Sequence, residues 1–271
     1  MSNMNFNDTI SINDDVKIMK TRVRLMIKKA DGTELFRDLG ENASLIGGVQ
    51  DYVHNMWNIQ SSDRVRIHTL DDAFTSGLPI VNSYTSDKRQ VFGIGIGIDG
   101  AIGDNIVAVN RHSKGFELDK LVAFHTVNPA LEDVVAATDK YAFRVEDSGD
   151  ILYYIKKIVP EYKIISARTK NIVQDYPDTT YTRSEDVRCH VRIKSKIEKD
   201  EVTRWFGKKQ GSIDNPRFNS IIVFAGRPCT LTIGTRNVNT WRDVIATNKI
   251  NFKNINLINA EVSIIYDIYF V

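Results

Sequence analysis

Cysteine, proline and long apolar runs are all scarce in this sequence. Its 271 residues include 2 cysteines and 6 prolines. Cys189 and Cys229 form no CxxC pair and no disulfide framework, which favours a reducing compartment. No apolar run approaches the roughly 18 residues that a membrane helix needs, so we expect no membrane partner. The opening MSNMNFNDTISINDD lacks the features of a signal peptide. We therefore expect that the protein either is used without export or is released by lysis.

Charge of either sign is present, but hardly any net charge remains. Lysine and arginine number 36 and the acids 34, which leaves a net charge of +2. A charge this small creates no overall field that attracts nucleic acid or an anionic membrane. Hydrophobic residues make up 42% and charged residues 26% of the chain. These are ordinary values for a globular protein with a substantial core.

Alternation of apolar and polar residues predicts a mainly β protein. Val23, Leu25 and Ile27 alternate with Arg22, Arg24 and Met26, and Asp31-Gly32 predicts the tight turn of a hairpin. A second hairpin is predicted over residues 140–158 and a last strand over 260–271. Further strands are predicted over residues 63–70, 88–98, 105–112, 118–127, 162–169, 188–197, 218–226 and 229–235. We therefore predict an antiparallel β-sandwich-like core, with a last strand that adds to a sheet of the same or of a neighbouring molecule.

One prominent helix is predicted at about residues 43–58, packed on a sheet. Its apolar residues recur at three- and four-residue spacings and form one stripe, made of Leu45, Ile46, Val49, Tyr52, Val53, Met56 and Trp57. Gly47 and Gly48 lie inside the helix and cost about 1 kcal/mol each relative to alanine. Close approach of another backbone would explain them. A short second helix is predicted over 199–209.

The chain divides into an arm and two β-rich portions. Residues 1–15 are predicted to form a flexible N-terminal arm, and residues 16–170 a β-rich main domain that contains the helix. Residues 171–271 form a β-rich C-terminal portion, either separate or part of the same domain. The polar stretch 170–187 predicts a boundary or a long surface loop. The polar loop 72–88 is either a contact segment or a plain surface loop.

The stretch VFGIGIGIDGAIGDN contains the letters of a dinucleotide-binding loop. Gly95, Gly97 and Gly100 spell G-x-G-x-x-G, but that motif needs a helix after the third glycine to hold the pyrophosphate. The residues after Gly100 continue with turn and strand spacing instead. Gly93, Gly95 and Gly97 are two apart and share one strand face, opposite the face of Phe92, Ile94, Ile96 and Ile98. We therefore interpret them as structural glycines that allow a bend or a close backbone approach.

Other candidate chemistry is sparse. The histidines His54, His68, His112, His125 and His190 show no i, i+4 zinc spacing, and the pair Cys189-His190 has no further ligands nearby. Adjacent acids such as Asp71-Asp72 point to opposite sides of a strand and make poor carboxylate pairs. We assign no catalytic, cofactor-binding or metal-binding residue and expect neither an enzyme nor a cofactor.

One segment is rich in basic residues. Arg188, Arg192, Lys194 and Lys196 are evenly spaced and share one strand face, which suits contact with phosphate. Acids such as Glu198 and Asp200 dilute the charge of the segment, which extends to Lys209. The segment is therefore also suited to contact with an acidic neighbouring subunit, as an alternative to nucleic-acid phosphate.

Two blocks of the sequence carry a resemblance. QVFGIGIGIDGAIGDNIVAVNRHSKGFELDKLVAFHTV resembles segments of structural proteins of tailed bacteriophages, in which a glycine-patterned strand and turn precede an LV-F stretch. FNSIIVFAG…INFKNINLINAEVSIIYDIYFV is similar to the C-terminal β-sandwich edges of such virion subunits. The resemblance implies a non-enzymatic building block of a symmetric ring or lattice.

The sequence therefore predicts a structural subunit of a tailed-phage virion, in the neck, tail or baseplate. Its expected partners are copies of itself and other virion proteins, and its expected location is the virion, assembled in the host cytoplasm. Two alternatives remain. One is an enzyme that uses the glycine loop to bind a nucleotide, and the other is a β module that binds carbohydrate or nucleic acid.

Overall fold

A computed structural model of the chain describes most of the two β-rich portions. The described residues are 19–57, 80–82, 88–111, 120–122, 125–127, 140–145, 151–158, 160–166, 173–175, 187–201, 217–233, 235–257 and 259–270. The predicted arm 1–15, the predicted strand 63–70 and nearly all of the loop 72–88 lie outside these residues. So do residues 202–209 of the predicted second helix.

The described residues form sixteen strands and two helices. The strands are β1 (Met19–Lys29), β2 (Glu34–Gly40), β3 (Ala43–Ser44), β4 (Ile80–Asn82), β5 (Gln90–Gly97), β6 (Ala101–Ile102), β7 (Asn105–Ile106), β8 (His125–Val127), β9 (Tyr141–Val145), β10 (Ile151–Lys157), β11 (Pro160–Ser166), β12 (Val173–Asp175), β13 (Val187–Ile197), β14 (Arg217–Ile233), β15 (Arg236–Asn256) and β16 (Ala260–Phe270). The helices are α1 (Ile46–Trp57) and the single turn α2 (Lys199–Glu201).

Two antiparallel sheets contain nearly all of these strands. One has six strands in the order β12-β11-β13-β16-β1-β2. The other follows the order β3-β15-β14-β5-β10-β8, with β4 paired to β14 and β9 to β10. Strands β6 and β7 form a separate two-stranded hairpin. Strands from both sides of residue 170 lie in each large sheet, so the predicted boundary does not separate the sheets.

The main hydrophobic core lies between the two sheets. The six-stranded sheet contributes Leu25, Ile193 and Ile264, and the eight-stranded sheet contributes Ile96 and Phe218, all of them buried in one cluster. Burying a side chain of this size stabilises the fold by about 1.5–3 kcal/mol. The predicted mainly β, antiparallel, sandwich-like fold is confirmed.

A second, smaller core covers the outer face of the eight-stranded sheet. Leu45, Phe92 and Phe224 belong to this cluster, and the Phe92 and Trp241 rings stack with their centroids 4.5 Å apart. Phe92 was expected to share a face with Ile94 and Ile96, and this expectation is wrong. A register shift in the β14–β5 ladder, beside Phe224, places Phe92 on the outer face.

Helix α1 packs against β15, as expected, but through a different face from the predicted one. A Cβ atom on Gly48 would lie 2.7 Å from the Thr247 Cα atom, so close backbone approach explains this glycine. Leu45 and Asp51 are also buried, whereas Ile46 and Val49 of the predicted stripe are exposed. The helix thus turns part of its apolar stripe outward. For residues 53–57 the structure describes the backbone alone.

Several predicted strands are confirmed and others need correction. The hairpins β1–β2 and β9–β10 and the last strand β16 form as predicted. The strands predicted over 218–226 and 229–235 are the single strand β14, and its long partner β15 was missed. Of the predicted strand 105–112, the structure describes residues 105–111, and within these only Asn105–Ile106 form a strand. Of the two alternatives for the last strand, the structure has addition to a sheet of the same molecule, since β1 and β13 pair with the two sides of β16.

Candidate assembly surface

The chain after the glycine motif continues as a strand. Gly95 and Gly97 lie in β5, and β6 begins directly after Gly100. The helix that a dinucleotide-binding loop requires is therefore absent from this position in the described part of the chain. The amide of Gly100, which such a loop would direct at a phosphate, donates to the Asn219 side-chain oxygen at 2.7 Å.

Neighbouring atoms fill the space beside the glycines. A Cβ atom would lie 2.6 Å from a ring carbon of Phe224 at Gly95, and 2.6 Å from the Ser220 Oγ atom at Gly97. At Gly100 it would overlap the backbone carbonyl of Asn219. These contacts support the interpretation of structural glycines. They also leave no cleft for phosphate groups along this face.

A short hairpin follows, and we call residues 99–107 the β-finger. Ala101 pairs with Ile106 and Ile102 pairs with Asn105. Gly103 makes the turn with a φ of +59°, a left-handed conformation that favours glycine. The amide of Val107 donates to the Gly100 carbonyl at 2.9 Å and closes the base of the β-finger.

Three asparagines of the eight-stranded sheet hold the β-finger. Asn219 accepts from Gly100, and its amide donates to the Ile98 carbonyl at 3.3 Å and to the Asn254 side chain at 3.0 Å. Asn254 in turn donates to the Gly103 carbonyl at 3.3 Å. Asn251 donates to the Val107 carbonyl at 2.8 Å. Side chains on strands thereby satisfy the backbone groups of the hairpin.

A charged group fixes the start of the β-finger. The Ser220 hydroxyl donates to one carboxylate oxygen of Asp99 at 2.9 Å. Lys249 forms an ion pair with the other oxygen. Ser220 and Lys249 are both buried, so water has little access to their contacts with Asp99. Together with the asparagines, it gives the β-finger one position on the sheet.

The β-finger presents its apolar side chains to solvent. Ile102 is 77% exposed and Ile106 is 53% exposed. Their pairing partners place the two isoleucines on opposite faces of the hairpin. An anchored projection with an exposed aliphatic side chain on each face is suited to insertion against another surface.

A second exposed apolar surface lies on α1. Its outer face includes Ile46 and Val49, which are 39% and 42% exposed. The amide of Ile46 donates to the carbonyl of Arg111 at 2.9 Å, which brings the exposed Arg111 to the start of this face. Asp51 on the buried side forms an ion pair with Arg89 at 2.7 Å. This pair fixes the rotation of the helix.

A third exposed apolar surface is the edge strand β2. Phe36 is 62% exposed, and Leu35 on the opposite face is exposed as well. Among the described strands, β2 pairs on one side only, with β1. An edge of this kind with apolar side chains can accept a strand from another molecule.

The outer face of the six-stranded sheet is rich in basic side chains. The structure places Arg192, Lys194 and Lys196 of the predicted ladder on this face of β13, and the side chain of Arg188 lies outside the described side chains. β1 adds Arg22, Arg24 and Lys28 on the far side of β16.

Acids that the sequence analysis did not name, Asp267, Glu261 and Asp38, pair with basic side chains on this face. Asp267 is fully buried between the strands and pairs with both Arg24 and Arg192. Lys196 pairs with Glu261 at 2.9 Å, and this contact raises the pKa of Lys196. Arg22 pairs with Asp38 and lowers the pKa of that carboxyl group.

A buried titratable cluster that the sequence did not suggest joins the two sheets. The ammonium group of Lys156 on β10 lies 2.7 Å from a carboxylate oxygen of Glu201 on α2. The Tyr141 hydroxyl and the Glu198 amide donate to the same carboxylate. Burial lowers the pKa of Lys156 to about 8 and raises that of Glu201, whereas the direct ion pair favours both charged forms. We call this cluster of Lys156, Glu201, Tyr141 and the Glu198 amide the polar lock, because its hydrogen bonds and ion pair join the two sheets.

No metal site is present among the described residues, where no three His, Cys, Asp or Glu side chains come together. Within the same residues, no helix is long and apolar enough to cross a membrane. The side chains of Cys189 and His190 lie outside the described side chains. No family model, curated protein or solved structure matches this chain. The described residues form a β-sandwich-like fold with several exposed apolar surfaces.

Proposed function

We propose that this chain is a structural subunit of a tailed-phage virion, assembled through repeated protein–protein interfaces in the neck, tail or baseplate. The observation that carries the proposal is the β-finger. Five polar side chains of β14 and β15 hold it in one position, while Ile102 and Ile106 remain exposed. A projection that is already ordered loses little conformational entropy when it is buried in an interface.

The other exposed apolar surfaces support the same function. The β-finger, the outer face of α1 and the edge strand β2 belong to different elements of the sandwich. A subunit within a ring or lattice contacts neighbours through more than one surface. The resemblance of the glycine block and of the C-terminal block to tailed-phage structural proteins supports the virion as the assembly.

The proposed partners are copies of this chain and other virion proteins. We propose that the arm 1–15 and the loop 72–88 add contacts with neighbours, because polar segments on a rigid scaffold commonly carry binding. Assembly would occur in the host cytoplasm. No catalytic step is part of this function.

Purified particles from the source organism provide the test. We expect mass spectrometry to detect this chain in intact particles at a fixed copy number, and electron microscopy to place it in a symmetric ring or lattice. Washing the particles at high salt distinguishes an integral subunit from adsorbed protein. A chain that is absent from washed particles would refute the proposal.

Binding of nucleic acid is the second candidate, favoured by the basic side chains on both sides of β16. The acids on the same face weaken this alternative, because they neutralise much of the positive charge. The test is binding to duplex and single-stranded DNA across a range of salt concentrations. Nucleic-acid binding would require a steep salt dependence that Lys194→Glu reduces and Lys88→Glu does not.

A further inference from the structure

We infer that the β-finger of one copy packs against the outer face of α1 of a second copy. This inference rests on the proposed function as a subunit and names the two surfaces that meet. The β-finger supplies one exposed isoleucine on each face, and α1 supplies the exposed Ile46 and Val49. The face of the β-finger that bears Ile102, the more exposed of the two isoleucines, therefore meets the two aliphatic side chains of α1.

The β-finger of a chain does not cover α1 of the same chain. Ile102 remains 77% exposed in the single chain. Residues 107–111 lead from the base of the β-finger to Arg111, which is hydrogen-bonded to the start of α1, and both ends of this segment are fixed. Asn251 holds Val107 at 2.8 Å, and the Arg111 carbonyl holds the Ile46 amide at 2.9 Å. The contact we infer therefore has to form between two molecules.

Charge favours a second copy as the occupant of this face. Asp104 is exposed at the tip of the β-finger, beside the turn at Gly103. Arg111 is exposed at the start of the outer face of α1. An acidic tip and a basic rim attract each other across an interface and set its orientation. The same chain thus carries two surfaces that match in both apolar character and charge.

Both surfaces are held in place before they meet. The asparagines of β14 and β15 anchor the β-finger, and the Asp51–Arg89 ion pair with the Gly48–Thr247 contact fixes α1. Less conformational entropy is lost on association when the two surfaces are already ordered than when they are mobile.

The experiment measures self-association of the full purified chain by analytical ultracentrifugation. Ile102→Asp and Val49→Asp should each raise the dissociation constant roughly ten- to hundredfold, because each replaces a buried aliphatic contact with a charge. Met26→Asp is the matched control, since it places the same charge at an exposed apolar site on the outer face of the other sheet. The control should leave association unchanged.

Charge exchange tests the contact without relying on a loss of function alone. Asp104→Arg and Arg111→Asp should each weaken association, and the double variant should restore it. Wild-type protein that stays monomeric at every concentration would overturn the inference. So would equal effects of Ile102→Asp and Met26→Asp, or a double variant no better than the single ones.

Failure of this inference can be distinguished from failure of the proposed function. A chain that is present in washed particles but insensitive to Ile102→Asp belongs to the virion and uses other surfaces. A chain that associates through the β-finger but is absent from particles forms the contact outside a virion.

Discussion

Asp267 offers the sharpest test of how the six-stranded sheet is held together. Its carboxylate is fully buried on β16 and pairs with Arg24 on β1 and Arg192 on β13. The Arg192 Nε atom lies 2.7 Å from one carboxylate oxygen. Asp267→Asn keeps the shape of the side chain, removes its charge, and leaves the two guanidinium groups facing each other.

The expected loss follows from the burial of the three groups. Removing one partner of a buried ion pair costs about 3–5 kcal/mol, because the remaining charge stays unpaired. The arginine side chains are 24% and 27% exposed, so solvent offsets part of this cost. We therefore expect the free energy of unfolding to fall by about 2–3 kcal/mol. The midpoint of thermal unfolding should fall by roughly 5–10 °C.

Urea unfolding followed by circular dichroism measures this loss. Asp38→Asn is the control, because the Arg22–Asp38 pair lies on the same face but is exposed to solvent. It should leave the unfolding midpoint nearly unchanged. The triple variant with Leu at Asp267 and Met at Arg24 and Arg192 should recover most of the stability, since no buried charge remains unpaired. Equal stability of Asp267→Asn and Asp38→Asn would refute this reasoning.

Three further predictions concern the β-finger and the polar lock. Gly100→Ala should lower the free energy of unfolding by roughly 1–3 kcal/mol in urea, because the new methyl group meets the backbone of Asn219; wild-type stability would contradict the close approach. Asn219→Ala should speed hydrogen exchange at the Val107 amide far more than at the Leu25 amide in the core, and equal effects at both would show that Asn219 does not anchor the β-finger. Burial lowers the pKa of Lys156 from 10.5 to about 8, so the unfolded chain holds this proton more tightly. Relative to Lys156→Met, the wild type should therefore gain up to about 3 kcal/mol in urea as pH rises from about 8 to 10.5, and a constant difference would exclude the shift.

Local patterns predicted the elements in which one face is apolar and the other polar. Over residues 23–27 of β1 and 260–268 of β16, every second residue is apolar and buried, because each strand has one face in the main core. The glycines of β5 were interpreted correctly from context, because a loop that binds phosphate would need a helix after Gly100.

The strand β15 was missed because its sequence does not alternate cleanly. Register shifts in the β14–β15 ladder exchange inner and outer faces along the strand. Asp243 also adopts a φ of +49°, which interrupts the extended backbone. The many polar residues of β15 then resemble a loop, although several of them anchor the β-finger.

The exposed surfaces could not be predicted because they depend on which face of an element meets the sheet. The stripe of α1 suggested burial of Ile46 and Val49. Contact between Gly48 and Thr247, with the Asp51–Arg89 pair, rotates the helix so that these two residues face outward. Ile102 and Ile106 continue a strand pattern in the sequence, and only the pairing within the hairpin shows that they project into solvent.

Pairing of the first described strand with the last one has a consequence for synthesis. Arg24 and Asp267 meet although 243 positions separate them along the chain. β1 leaves the ribosome early, and the edge that pairs with β16 stays without this partner until β16 has been made. The same holds for the edge of β13 that pairs with β16. Loop closure over this distance makes the six-stranded sheet a late step of folding.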